Sequence, residues 1–167
     1  SITAGVTSMI LPSLTFLIKS AISCTSQFMI NGNGATIKAW ASLPTRLDEN
    51  SNPQYMMIDV TGSKVTIERV TFDGNSNATG VVGVWVATNS TEVNIHHNRF
   101  LNIAYNGTNI SLAALFRPGS NDSRFEFNTL INSNAAATTQ GGARVVFRDN
   151  NFVAITTGTS ADATFGI

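Results

Sequence analysis

Four segments of this chain fall into one register without gaps, and that repeat constrains the fold more than any other feature. They are Val65-Thr-Ile-Glu-Arg-Val-Thr-Phe72, Val93-Asn-Ile-His-His-Asn-Arg-Phe100, Ser123-Arg-Phe-Glu-Phe-Asn-Thr-Leu130 and Val145-Val-Phe-Arg-Asp-Asn-Asn-Phe152. The closing apolar residue moves from Phe72 to Phe100 to Leu130 to Phe152, in steps of 28, 30 and 22 residues. Steps of this size are those of one supersecondary unit in a solenoid, where each unit buries its apolar face against its neighbours.

Within each copy the pattern reads as strand, bend, strand. Val65 and Ile67 alternate with polar residues, as on a strand with one buried face. The inward face then breaks at a bend and returns with the Phe or Leu. The bend column reads Val70, Asn98, Asn128 and Asn150. Amides stacked at one position hydrogen-bond from copy to copy, and Asn tolerates the left-handed backbone that a tight bend requires. A third strand precedes each pair, expected at 56–59, 84–86, 113–116 and 136–138. Further strands are expected at 15–18, 28–30 and 35–39, and a last partial strand at 163–167. No segment has the periodicity of a long amphipathic helix, although 9–14 reads as a short helix or an irregular cap.

The prediction is therefore an all-β, single-stranded, right-handed parallel β-helix of roughly 5–7 short coils with an irregular N-terminal cap. One domain spans 1–167: a cap or attachment segment at 1–26, coils at 27–155 and a partial coil at 156–167. The apolar run at 9–18 is broken by Pro12, is too short to span a bilayer and has no basic flank ahead of it. The chain opens at Ser1 rather than Met, which fits removal of an N-terminal part.

Composition narrows the class of partner. Ten basic and ten acidic residues balance to zero net charge. Nucleic acid demands a basic footprint that releases counterions, and an anionic membrane demands a basic patch, so neither is expected as a partner. Charged residues make up 12% of the chain while apolar residues make up 43%, so a core forms under a surface of Asn, Thr, Ser and Gly. Such a surface suits an extracellular or virion location, or a subunit within an assembly. The single cysteine, Cys24, admits no internal disulfide and reads as a buried apolar thiol. Asn-x-Ser/Thr triplets at Asn77, Asn89, Asn106, Asn109 and Asn121 matter only for an exported protein of a glycosylating host.

The segment Ile30-Asn-Gly-Asn-Gly-Ala-Thr-Ile37 resembles the opening coil of pectate-lyase-like β-helices, among them bacteriophage tailspikes and other virion surface proteins. The Val-x-Ile-x-x-Asn-x-Phe copies are similar to the repeat of that superfamily, and the likeness runs from about residue 28 to residue 155. It implies the β-helix fold. For function it spans lyases, polygalacturonase-like hydrolases, phage depolymerases and coils without known activity. Gly32 and Gly34 are read as corner residues with backbone angles closed to other residues. A phosphate-binding loop is excluded, because no Lys-Ser/Thr and no helix follow.

Register puts Glu68, His96, Glu126 and Arg148 in one outward column. With neighbouring strands about 4.8 Å apart, Glu68 and Glu126 stand about 9–10 Å apart with His96 between them. That approaches the carboxylate separation of inverting glycosidases, in which one acid protonates the leaving oxygen and a second carboxylate activates water. The preferred reading of the column is a surface ladder of alternating charge, which pairs favourably across strands. A uronate lyase of the resembled superfamily generally needs a carboxylate cluster for calcium, and the carboxylates here are scattered. No metal or cofactor signature is present, and His96 and His97, as strand neighbours, are expected to face opposite ways and not to chelate one ion. Trp40, Trp85, Tyr55 and Tyr105 are candidate sugar platforms, with Trp85 expected outward between Val84 and Val86.

Leu101, Ile131 and Val153 share a column just after the anchor. If outward, they form a contact surface suited to a homo-oligomer, a trimer above all; a bend turning them inward is the alternative. These readings converge on a non-enzymatic virion surface protein of tailspike, head-fibre or capsid-decoration type. Its partners would be copies of itself, other virion proteins and cell-surface polysaccharide. The alternatives are a polysaccharide hydrolase or lyase using Glu68, Glu126 and His96, and a non-viral extracellular surface or filament protein.

Overall fold

The computed structural model describes residues 8–25, 27–41, 43, 45–47, 51, 53–75, 80–103, 111–133 and 137–153. Among them the chain is all-β, and it visits three sheets in rotation. The first rung comprises β1 (Ser8–Ile10), β2 (Thr15–Ile18) and β3 (Ile22–Cys24). The second comprises β4 (Met29–Asn31), β5 (Thr36–Ala39) and β8 (Met56–Val60), with a small antiparallel pair, β6 (Arg46–Leu47) and β7 (Pro53–Gln54), in the connection before β8. The third has β9 (Thr66–Glu68), β10 (Thr71–Asp73) and β11 (Val82–Val86), and the fourth β12 (Asn94–His96), β13 (Arg99–Leu101) and β14 (Leu112–Phe116). The fifth has β15 (Arg124–Glu126), β16 (Thr129–Ile131) and β17 (Ala137–Thr139), and β18 (Val146–Arg148) and β19 (Asn151–Val153) begin a sixth.

First strands stack on first strands in the order β1-β4-β9-β12-β15-β18, second on second and third on third. Every pairing in these three sheets is parallel. This solenoid-like stacking of parallel sheets is the architecture that the repeat predicts, and all four aligned copies keep their register. Strands fall where expected to within a residue or two; residues 163–167 lie outside the described set. The segment 9–14 is a correction. It is not a helix: Ser8–Ile10 is a strand paired with Met29–Asn31, and residues 11–14 form an irregular bend leading into β2. The expected cap at 1–26 thus holds, from Ser8 on, three strands stacked like those after it. Among the described residues no helix is long and apolar enough to cross a membrane.

The core is a set of columns running through the stack. On the first sheet Ile30, Ile67, Ile95, Phe125 and Phe147 are register partners in succession. On the second sheet the succession is Phe16, Ile37, Phe72, Phe100, Leu130 and Phe152. The Phe72 and Phe100 rings stack at 5.0 Å and 15°. Burial of each fully enclosed member, from Ile30 to Phe125 on the first sheet and from Ile37 to Leu130 on the second, contributes about 1.5–3 kcal/mol, whereas Phe152 at the end of the stack is exposed. Large rings in one sheet are matched by small residues in another: Ala113, Ala114 and Ala137 are buried, and a Cβ on Gly83 would lie 2.9 Å from the Phe100 ring.

The corners explain how such short strands can be joined. Lys64, Glu92, Asp122 and Arg144 precede the first strands with φ of 60°, 57°, 57° and 57°. Arg69, His97, Phe127 and Asp149 follow them with φ of 55°, 55°, 53° and 53°. One left-handed residue turns the chain from one sheet into the next without a loop, at a cost of about 1–3 kcal/mol for a non-glycine residue, which the stacked neighbours offset. The expectation that Asn supplies this backbone is therefore corrected by one position. The left-handed residue is the outward one before it, and Asn98 and Asn128 point into the core, 1% exposed each.

Candidate functional site

The bend that the Asn column marks is held by side-chain amides. Asn128 Nδ2 donates to Ile95 O at 2.9 Å, and Asn128 Oδ1 accepts from Asn98 N at 3.0 Å and Asn98 Nδ2 at 3.2 Å. Asn98 repeats the pattern toward Ile67 O and Val70 N, and Asn150 toward Phe125 O and Asn128 N. A second ladder, unread in the sequence, runs along the outside: Asn132 Nδ2 donates to Asn102 Oδ1 at 2.8 Å, and Asn102 Nδ2 to Asp73 Oδ1 at 3.0 Å.

These ladders fix the edge on which the predicted site residues lie. Glu68, His96, Glu126 and Arg148 are direct register partners, as the repeat requires. The column also has a member that the alignment missed. Asn31 pairs with Glu68 in register, and its Nδ2 donates to Glu68 Oε1 at 2.8 Å. The signal was present, since Met29-Ile30-Asn31 matches Thr66-Ile67-Glu68, but two extra residues before the next strand displace the rest of that copy.

Each column member is engaged with its neighbours. Glu68 Oε2 lies 3.6 Å from His96 Nε2. Glu126 Oε1 lies 3.0 Å from Arg148 Nε and 3.5 Å from Arg124 Nη1, and Arg148 Nη2 donates to Glu126 Oε2 at 3.4 Å. The Glu126 side chain is 7% exposed, and neither guanidinium is aligned for a hydrogen bond to Oε1, so that contact is an ion pair in kind. Burial is the largest influence on His96 and holds its imidazole below the ordinary value; Glu68 pushes the other way, and His97 adds to the lowering. Glu68 and Glu126 stand on either side of His96 as expected, with Glu126 held by two guanidiniums.

His97 departs from expectation. It sits in the left-handed corner rather than on the strand, and the corner rotates its side chain to the same side as His96. The two Nδ1 atoms are 2.8 Å apart and the rings meet edge to face. His97 also stacks on Phe127, its equivalent one rung further, at 5.2 Å and 22°. Phe127 is exposed, and the Arg148 guanidinium lies 5.8 Å from its ring centre. Two histidines that strand alternation separates thus share one edge with an exposed aromatic ring and the Glu68 carboxylate.

The other candidates scatter. Trp40 is exposed in the connection after β5, with Lys19 Nζ 4.7 Å from its ring centre. Trp85 points outward as expected but is buried rather than exposed: it packs with Met56, Val82, Leu112 and Leu115 in a second apolar cluster on the outer side of the third sheet. Tyr55 is half-buried. Tyr105, Asn77, Asn106 and Asn109 lie outside the described residues. Cys24 is fully buried, and burial, followed by the Asp59 charge, pushes its thiol up to about 12, as an inert core thiol requires. Leu101, Ile131 and Val153 are register partners, and they face away from the Phe100, Leu130 and Phe152 column. Leu17, exposed at the other end of that column, is separated from Leu101 by Lys38 and Asp73, which pair at 3.5 Å.

Gly34 adopts φ 82° as a corner residue, whereas Gly32 is required for a different reason: a Cβ there would lie 2.3 Å from Arg69 O. Among the described residues, no three His, Cys, Asp or Glu side chains converge as a metal-ligand group. Compared with family models, curated proteins and solved structures, the chain matches none.

Proposed function

We propose that this chain is a right-handed parallel β-helix of the pectate-lyase-like kind and serves as a structural, non-enzymatic surface protein of a virion, mediating assembly and adhesion to cell-surface glycan. The observation that carries this reading is the state of the outward column. Its carboxylates are engaged by an amide, an imidazole and two guanidiniums along the stack. A general acid or base needs a carboxyl group turned toward substrate, while a carboxylate bracketed by guanidiniums stiffens the rod. The neutral, amide-rich surface and the resemblance of Ile30–Ile37 to a tailspike opening coil support the extracellular setting. The outward apolar run of Leu101, Ile131 and Val153 supports lateral association into a trimer.

The test is release of reducing ends or unsaturated uronates from a panel of bacterial surface polysaccharides by the native chain, Glu68→Gln and Glu126→Gln. No release, together with a trimeric mass in solution, is the expected result. Cleavage that disappears in both variants would overturn the structural reading in favour of a depolymerase with Glu68, His96 and Glu126 at its centre.

A further inference from the structure

The edge where the first and second sheets meet carries a feature that neither a structural rod nor a polysaccharide cleft uses. From His96 Nδ1 and His97 Nδ1, 2.8 Å apart on the outside of the stack, we infer a chelating site for a late first-row divalent metal ion, Cu(II) in preference to Zn(II).

The tautomers favour it. His96 Nε2 faces the Glu68 carboxylate at 3.6 Å, so the ring proton belongs on Nε2, where the negative charge stabilises it. That leaves the lone pair of His96 on Nδ1, directed at His97. In the metal-free pair His97 Nδ1–H donates to this lone pair. When a metal ion enters, the His97 proton transfers through water to its Nε2, and both Nδ1 lone pairs become ligands with no net loss of protons.

The surroundings are those of a supported ligand. A metal-binding histidine characteristically gives its second ring nitrogen to a carboxylate, which fixes the ring and raises its basicity. Glu68 stands in that position, and Asn31 Nδ2 holds Glu68 in turn at 2.8 Å. His97 is oriented from its other side by the Phe127 ring at 5.2 Å.

The geometry selects the ion. A bound ion lies off the line between the nitrogens, so the two rings must turn their lone pairs onto a common point; if the separation stays near 2.8 Å, metal–nitrogen bonds of about 2.0–2.1 Å would subtend about 85° at the metal. That is a cis angle of a tetragonal or octahedral ion and lies well short of the about 109° that tetrahedral zinc prefers. Water completes the coordination, because no third ligand side chain converges among the described residues. The affinity order of divalent ions also places Cu(II) first.

The chain contains two histidines in all, so no other imidazole competes. The experiment is titration of the full 167-residue chain with aqueous Cu(II), followed by electron paramagnetic resonance. Native protein, His97→Phe and Glu68→Gln are compared, with circular dichroism as a check on folding. His97→Phe keeps an aromatic ring against Phe127 and removes only the ligand. One equivalent of Cu(II) bearing two nitrogen couplings is expected in the native protein. One coupling or none is expected in His97→Phe. In Glu68→Gln the affinity should fall about 10–100-fold, the range for loss of a carboxylate behind a ligand histidine. A native spectrum without two nitrogen couplings, or binding by His97→Phe equal to native, would overturn the site. Should Glu68→Gln fail to fold, the native and His97→Phe spectra decide alone.

Discussion

Replacing Asn128 by alanine should destabilise the stack more than replacing Asn150, the amide one rung further along the bend. Asn128 is 1% exposed. Its side chain is the acceptor for the backbone N–H of Asn98 at 3.0 Å and the donor to the carbonyl of Ile95 at 2.9 Å. Asn98 Nδ2 keeps a partner in the variant, because it also donates to Ile67 O at 2.9 Å. Asn150 Oδ1 keeps one as well, in the backbone N–H of residue 128. One buried backbone group is therefore orphaned, the Asn98 N–H; the Ile95 carbonyl loses one of two donors, because the strand register keeps the Glu126 N–H on it. An orphaned buried group costs about 1–3 kcal/mol, so the variant should lose about that much. That is an appreciable part of the about 5–15 kcal/mol by which a typical domain is folded.

Asn150→Ala strips the equivalent bonds one rung further, where the side chain is only part-buried, so water replaces some of what is lost and the effect should be smaller. Urea denaturation followed by circular dichroism reads both variants, with the loss appearing as a lower midpoint at unchanged slope. A loss for Asn128→Ala below about 1 kcal/mol, or below that of Asn150→Ala, would refute the claim that the ladder satisfies groups closed to water.

Three further outcomes follow from the same geometry. Gly83→Ala would place a Cβ 2.6 Å from Ala113 O and 2.9 Å from the Phe100 ring; overpacking of this kind costs about 1–3 kcal/mol, read as a lower thermal midpoint, and an unchanged midpoint would contradict the tight contact. Cys24 should resist Ellman's reagent in the native protein and react once in denaturant, whereas labelling of the folded chain at neutral pH would contradict a buried thiol pushed up to about 12. Stability should fall as pH drops from neutral. His96 is held below its ordinary value chiefly by burial, so its contribution is full above the unfolded value near about 6.5 and drains as pH falls toward the folded one. Asp122, lowered chiefly by its hydrogen bond from Arg144, adds a loss of the same sign in the acid carboxylate range. Urea midpoints that stay level or rise from pH 7 to about 3 would contradict both.

The rungs were legible in the sequence because they rest on position-by-position identity of environment. Ile67, Ile95, Phe125 and Phe147 are apolar for one reason, and each copy repeats it. The bend amides were legible for the same reason. The charged column was legible as a column, since register alone decides it.

The corners were not, and the cause is physical. Left-handed residues are ordinarily betrayed by Gly or Asn, but here Arg69, His97, Phe127 and Asp149 take that backbone. The stack offsets the strain, so no residue preference survives to be read. The direction of a corner side chain depends on that backbone. Strand alternation accordingly sent His97 to the face opposite His96, and the actual corner brought the two nitrogens to 2.8 Å. Trp85 failed for a related reason. Alternation placed it outward correctly, but outward on the third sheet is not exposed, because Met56, Val82, Leu112 and Leu115 form a second cluster there. In a stacked fold of this kind, the repeat determines which residues are equivalent, while the corners and the second apolar layer determine which of them meet. The chemistry of the outer edge therefore depends on the features that the repeat leaves unmarked.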